Sequence, residues 1–257
     1  MNQKGGVGKT TTSVNMSAAL AALGKKVLLI DLDPQAHASL HLGLTFEREF
    51  ESVYDVLVRD QPLASVRRQV SENLWLVPAH LDLAAADLEL ASVFGREKIL
   101  ADKIEKDDMT FDFIIIDCPP SLGVLTVNAL AAVEEVIIPL QPHFLALHGL
   151  SKLLETIELV AQRLNSKLRV SGVLLCLFDG RTTLANDVKA DVQQFFGSHE
   201  DRPDAWKNVK VFETNIRRNI RLAEAPSYGL SIFDYDPKSN GAEDYRAFAK
   251  EALEMER

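Results

Sequence analysis

The stretch Lys4-Gly5-Gly6-Val7-Gly8-Lys9-Thr10, continued by Thr11 and Thr12, constrains this chain more than any other. Closely spaced glycines let the backbone turn with its N–H groups pointing inward. An alanine-rich apolar run from Thr10 to Leu23 predicts a helix whose N-terminus faces the same point. Loop and helix end together make an anion nest, to which Gly5, Gly6, Val7, Gly8 and Thr11 contribute backbone.

Phosphate oxygens in such a nest need charge, donors and usually a metal, so each polar residue has its own task. Lys9 would lie along the β- and γ-phosphates and the Thr10 hydroxyl would sit on Mg²⁺, which makes ATP with Mg²⁺ the expected ligand pair. The spacing is nearly that of the phosphate loop G-x-x-x-x-G-K-[ST], but Gln3 stands at its first glycine and a second lysine, Lys4, stands beside it. This form resembles the deviant Walker A motif of the ParA/MinD superfamily, in which the extra lysine reaches across a dimer to the partner's nucleotide. The plainer alternative is a glycine-rich turn with two surface lysines.

Downstream, Val27-Leu28-Leu29-Ile30-Asp31-Leu32-Asp33 runs apolar into two acids. Uninterrupted apolar runs of this length fit parallel strands buried on both faces. Asp31 and Asp33 then stand at the carboxyl end of a strand, where open α/β sheets bind ligands. A second run, Phe113 to Ile116, ends in Asp117, a strand-tip carboxylate suited to holding Mg²⁺ through water. Leu74 to Pro78, Val136 to Gln141, Val170 to Phe178 and Val209 to Phe212 read as further strands, and Leu230 to Phe233 as a last one. Helices are expected from about Leu147 to Leu164, over Val188 to Phe196 and from about Gly241. The alternation predicts one α/β domain over residues 1–257, a doubly wound, mostly parallel sheet with helices on both faces.

The net charge of −9 repels nucleic acid, so any DNA contact needs a local basic patch. Cys118 and Cys176 are isolated in apolar runs, as buried thiols of a reducing compartment would be. With no leader peptide and no long apolar span in the sequence, a cytoplasmic location is expected. His37 and His41 have an i, i+4 spacing that could hold a metal, but no third ligand stands nearby, and two surface or capping histidines are the simpler reading.

Over nearly its full length the sequence is similar to small ParA-type partition ATPases of the P-loop NTPase class. The resemblance rests on Lys4 to Thr12, Asp31 to Gln35, Asp117 to Ser121, Asn128 to Leu130, Leu145 to Leu150, Gly180 to Thr182, Asn219 to Ser227 and Asp236 to Ala242. It implies that Lys4, Lys9 and Asp33 are catalytic, with Asp33 positioning the attacking water and Asp31 supporting it, and that Thr10 and Asp117 hold Mg²⁺. It also implies a homodimer around ATP that binds double-stranded DNA without sequence preference, on the nucleoid, until a ParB-like partner stimulates a weak basal hydrolysis. Relatives commonly have proline where Arg217 stands, so the base contacts expected of Arg217 and Asn219 rest mainly on Asn219. The same substitution groups Arg217, Arg218 and Arg221, and with Arg181 they form the expected DNA patch; a solvated or ion-paired loop is the alternative. Relatives also carry Gly-Asn-Ala-Thr where Ala36-His37-Ala38-Ser39 stands here.

Three rival functions make different demands on the sequence. A membrane-bound MinD-type regulator wants a basic amphipathic tail, whereas Glu251 to Arg257 is acidic, so no membrane partner is expected. A cluster-bridging ATPase of the nitrogenase iron-protein type wants paired cysteines, and there is no Cys-x-x-Cys. A ParA-like ATPase that positions a protein complex remains the alternative.

Only Met1, Asn2 and Gln3 precede the loop, too few for the strand that normally holds it. An apolar strand of roughly six to ten residues is therefore expected to be encoded upstream. Mass spectrometry of the intact native protein checks this: the expected mass exceeds that of residues 1–257 by such a segment, and equality would contradict it.

Overall fold

Val27–Asp31 (β1) is buried at every position, as a strand covered on both faces must be. The structure is a computed structural model and describes residues 6–45, 50–143, 146–197 and 202–255. Before β1 comes Lys9–Ala22 (α1); after it come His37–His41 (α2), Val53–Val58 (α3) and Leu63–Val66 (α4), then the hairpin of Arg68–Ser71 (β2) and Leu74–Val77 (β3). Short turns surround Ala86–Glu89 (α5), and Ile99–Glu105 (α6) leads to Phe113–Asp117 (β4), Val124–Ala132 (α7) and Glu135–Leu140 (β5). The remainder is Ala146–Arg163 (α8), Arg169–Phe178 (β6), Thr183–Gly197 (α9), Lys210–Val211 (β7), Ile216–Arg217 (β8), Ile220–Glu224 (α10), Ile232–Tyr235 (α11) and Asn240–Met255 (α12).

The fold is the expected doubly wound α/β arrangement, but among the described residues its strands form two half-sheets. One has the order β2-β3-β1-β4, parallel except for β2; the other is β5-β6-β7, with β8 also parallel to β6. The register sets Asp31 opposite Asp117 at the carboxyl tips of β1 and β4.

α1 is buried almost all round, from Val14 to Ala21 without a break, which marks it as a central helix rather than a covering one. Long-range hydrogen bonds fix it, among them the Thr12 hydroxyl to the Tyr245 hydroxyl of α12 (3.1 Å), Ser13 Oγ to Asp117 of β4 (3.0 Å), and the Ile232 N–H of α11 to Asn15 Oδ1 (2.8 Å).

One expectation is corrected, and two strands are added to those expected. Leu230 to Phe233 is not a strand: Ser231 Oγ accepts the Asp234 N–H and donates to its carboxylate, and this local cap closes a helical turn over Ile232–Tyr235. β2 and β8 went unread because β2 is an exposed edge without apolar alternation and β8 is two residues long.

Gly229 has φ +69°, and a Cβ there would stand 2.8 Å from Gly43 Cα; Gly24 has φ +80° and open space around it. Gly24→Ala should therefore cost only the left-handed backbone, about 1 kcal/mol. Gly229→Ala must also push two loops apart and should cost roughly 2–4 kcal/mol. Urea unfolding of the two variants checks the order.

Candidate functional site

The site gathers where α1 begins and where β1, β4 and β6 end. Gly6 (φ +75°) and Gly8 (φ +93°) take left-handed backbone that lets the loop curl onto the N-terminus of α1, and Gly8 packs against Cys176 of β6. Val7 between them is buried and anchors the loop. Lys4 and Gly5 lie outside the described residues.

Asp117, buried at the tip of β4, accepts the Ser13 hydroxyl on Oδ1, while its Oδ2 is buried with no hydrogen-bond partner. Burial pushes its carboxyl above the usual range, and the Thr10 and Ser13 hydroxyls pull against that rise. Lys9 shares this environment: burial lowers its ammonium, opposed by the charges of Asp117 and Asp33. An orphaned carboxylate oxygen beside two hydroxyls and an ammonium is a hard-oxygen donor set that fits Mg²⁺ and a phosphate together.

Asp31 has no such free valence. Its Oδ1 accepts the Asp33 N–H (3.1 Å) and its Oδ2 accepts both the N–H (2.9 Å) and the hydroxyl (2.7 Å) of Ser39, whose oxygen in turn accepts the Ala79 N–H (3.0 Å). Burial first, and the Asp117 charge second, raise its carboxyl to about 7. Asp31 therefore shapes the turn that presents Asp33. Asp33 caps that turn, accepting the Gln35 N–H on Oδ1 (3.0 Å). The turn ends at Ala36, which holds a left-handed φ of +51°.

The histidine reading is corrected. His37 is exposed but His41 is buried, so they are not two surface histidines, and among the described residues no cluster of three metal-binding side chains occurs. Burial holds the His41 imidazole neutral and pulls it down to about 4, with a backbone contact at Leu230 opposing.

Arg181, Arg217, Arg218 and Arg221 do come together, because β8 pairs with the end of β6 and the Arg218 N–H donates to the Phe178 carbonyl. Most are engaged by acids. Arg181 makes a two-pronged bond to Asp179, whose carboxyl falls to about 2; Arg221 pairs with Glu224 and Asp236. Arg217 is locked on Asp244 and Glu243 of α12, so its guanidinium faces acids rather than a base. Among the described residues only Arg218 of the four makes no ion pair. The Asn219 side-chain oxygen, Oδ1, caps α10 by accepting the Arg221 N–H. Thr11 directs its carbonyl to Asn15. Sequence reasoning missed Ser13 and Ser39; Ser13, one turn after Lys9 on the same helix face, carried a readable signal, whereas Ser39 depends on the fold.

The chain is similar in sequence and fold to known proteins. A family model described as an AAA domain matches residues 1–170. The sporulation initiation inhibitor protein Soj of Bacillus subtilis is 47% identical over 97% of this chain and 95% of its own length. The chromosome partitioning protein ParA of Myxococcus xanthus is 43% identical over 99% of this chain and 87% of its own. A Mycobacterium smegmatis structure described as cobyrinic acid a,c-diamide synthase, with an ATP analogue and magnesium bound, superposes with a TM-score of 0.83 at 40% identity, covering 98% of this chain and 92% of that one.

Opposite titrations in the site predict a compensated pH profile. His41, lowered from 6.5 to about 4, binds its proton more readily when unfolded, so its contribution is lost as pH falls through that window. Asp31, raised from 3.8 to about 7, binds its proton more readily when folded, so its contribution is gained over the same fall. Asp31→Asn removes the compensation, and its stability should drop by about 3 kcal/mol between pH 6.5 and 4 while the parent stays nearly flat. Urea midpoints at the two pH values check this, and NMR titration of His41 near 4 confirms the cause.

Proposed function

The chain belongs to the ParA/Soj family of chromosome-partitioning ATPases, with ATP and Mg²⁺ as its ligands, and we propose that its ATP-bound dimer binds duplex DNA without sequence preference and lets go on hydrolysis. The observation that carries this reading is Asp117, with its orphaned buried oxygen, set beside Lys9, Thr10 and the left-handed glycine loop. A ParB-like protein would stimulate hydrolysis, and the protein would work in the cytoplasm on the nucleoid. Among the described residues no helix is long and apolar enough to cross a membrane.

In this reading the loop N–H groups of Gly6, Val7, Gly8 and Thr11 cradle the phosphates, and Lys9 neutralises the oxygens that gain charge as the terminal phosphoryl group leaves. Thr10 and Asp117 would hold Mg²⁺, which supplies further neutralisation of phosphate charge. Asp33, presented by the Asp31 turn, orients the attacking water. Lys4 reaches the nucleotide of the partner subunit, which makes dimerisation depend on ATP. The contact to DNA phosphates centres on Arg218, with Arg181 and Arg221 flanking it and Arg217 holding the segment to α12. Asn219 lies against the adenine.

The physical logic is a timed release. Contacts to the terminal phosphate hold the turn around Asp33 and the facing subunit, and hydrolysis removes them.

Retention on duplex DNA of unrelated sequence, with ATP, with ADP and with neither, tests the proposal. Retention is expected with ATP only. Asp33→Ala should keep that retention while losing hydrolysis by about 100-fold or more. Replacing Arg218 and Arg221 together by alanine should flatten the salt dependence of binding by about two phosphate contacts. Absence of retention in every nucleotide state would overturn the DNA reading and favour a protein cargo.

A further inference from the structure

Asp117 is held from two sides. Its backbone carbonyl accepts the Leu32 N–H (2.9 Å) and the residue stands in register with Asp31, so the sheet fixes where the side chain starts. α1 fixes where it ends: the Ser13 hydroxyl, one turn after Lys9, reaches Asp117 Oδ1 at 3.0 Å. The same hydroxyl lies 3.2 Å from the Lys9 carbonyl, and it has a single proton for the two acceptors. The ionised carboxylate is the nearer and the better of them, because a hydrogen bond to a charged group is roughly twice as strong as a neutral one. The turn that carries Ser13 is itself tied down, since the Ser13 carbonyl accepts the Ser17 hydroxyl at 2.7 Å.

The last torsion of an aspartate is broad and two-fold, so an untethered carboxylate offers either oxygen, or both, to a ligand. Here the two oxygens are not equivalent. Oδ1 is taken by α1, while Oδ2 is buried without a partner, which leaves one oxygen for whatever cation the site accepts. Asp31, its neighbour in register, offers none. That count discriminates between ions. Mg²⁺ is small, octahedral and slow to give up water, so one oxygen from a carboxylate serves it directly or through a water. Ca²⁺ is larger, gathers roughly six to eight oxygens and readily grips a carboxylate by both. A two-oxygen grip on Asp117 must break the Ser13 bond and leave that hydroxyl with the poorer acceptor.

We propose that Ser13 is a positioning residue that sets the metal preference of the site: by holding Oδ1 it presents Asp117 through a single oxygen, and so favours Mg²⁺ over Ca²⁺ as the ion bound with the nucleotide. Neither of the other polar groups can supply this discrimination. The Thr10 hydroxyl has only one oxygen to give any ion, and the Lys9 ammonium binds none. The role rests on Asp117 as the carboxylate that holds the metal, and it is independent of DNA binding.

Binding of ADP carrying an N-methylanthraniloyl fluorophore to the full 257-residue chain tests this, because ADP is not turned over and the readout is affinity rather than hydrolysis. The metal concentration that gives half of the gain in ADP affinity is measured with Mg²⁺ alone and with Ca²⁺ alone. In Ser13→Ala the preference for Mg²⁺ over Ca²⁺ should fall about tenfold, the size expected of one hydrogen bond to a charged group. Ser13→Thr, which keeps a hydroxyl, should restore it. General damage to the loop would instead weaken ADP equally with either ion and with none; that result, or an unchanged preference, would overturn the proposal. Asp117→Asn distinguishes a failure of this role from a failure of the site. Loss of the metal-dependent gain in that variant, together with a shifted preference in Ser13→Ala, supports both. Loss with an unshifted preference removes the Ser13 role and leaves the site. A gain that persists in Asp117→Asn places the ion elsewhere and overturns both.

Discussion

Two carboxylates are held side by side at the tips of adjacent parallel strands, and the rest of the site depends on how that repulsion is managed. Asp31 and Asp117 face each other in register, and both are almost wholly removed from water. Like charges in such a place raise one another's proton affinity. The chain treats the two unequally. Asp31 is saturated by Ser39 and the Asp33 N–H, so it serves as scaffold. Asp117 keeps one buried oxygen unpartnered and has Lys9, Thr10 and Ser13 around it, so it is the one left able to hold a cation. A cation there would also relieve the repulsion on Asp31 and would tie ligand binding to the stability of the turn at Asp33.

That turn is not isolated. Ser39, which holds Asp31, lies in α2; His41 at the end of α2 sits beneath the Leu230 backbone, and Gly43 meets Gly229 backbone to backbone. From there Ile232 bonds Asn15 in the middle of α1, the helix whose first turn forms the phosphate nest. The contacts form a closed loop from the nest through the Asp33 turn and the 219–232 segment back to α1. At the Gly43–Gly229 contact no side chain lies between the two backbones, so there is no rotamer freedom to absorb a shift of either one.

The loop glycines, Lys9, Thr10, Asp33 and Asp117 were legible because each sits in a local pattern: glycines before a helix, or acids closing an apolar run. The main strands were legible for the same reason, since a buried parallel strand is a continuous apolar word. What stayed hidden depends on residues far apart in sequence. Ser39 reaches Asp31 only after α2 folds back, and His41 is buried only because the Leu230 segment covers it. The helical turn over Ile232–Tyr235 was masked by β-prone residues whose preference a Ser231–Asp234 cap overrides.

The arginine group shows how pairing changes what a basic cluster can do. A guanidinium already on a carboxylate presents a dipole rather than a free charge, so a phosphate must compete for it. Arg181 and Arg221 are held by exposed or half-exposed acids, and such solvent-screened surface pairs contribute little, so exchange for a phosphate is cheap. Arg217 differs, because its partner Asp244 has a side chain only 8% exposed and also accepts the Arg217 N–H. Removing that guanidinium would strand a buried carboxylate, a change far costlier than breaking a surface pair. Within one short segment, burial of the partner acid separates arginines that can turn to a ligand from one that cannot. Arg217 therefore acts as the clamp fastening β8 to α12, and the cationic face falls to Arg218 and its exchangeable neighbours.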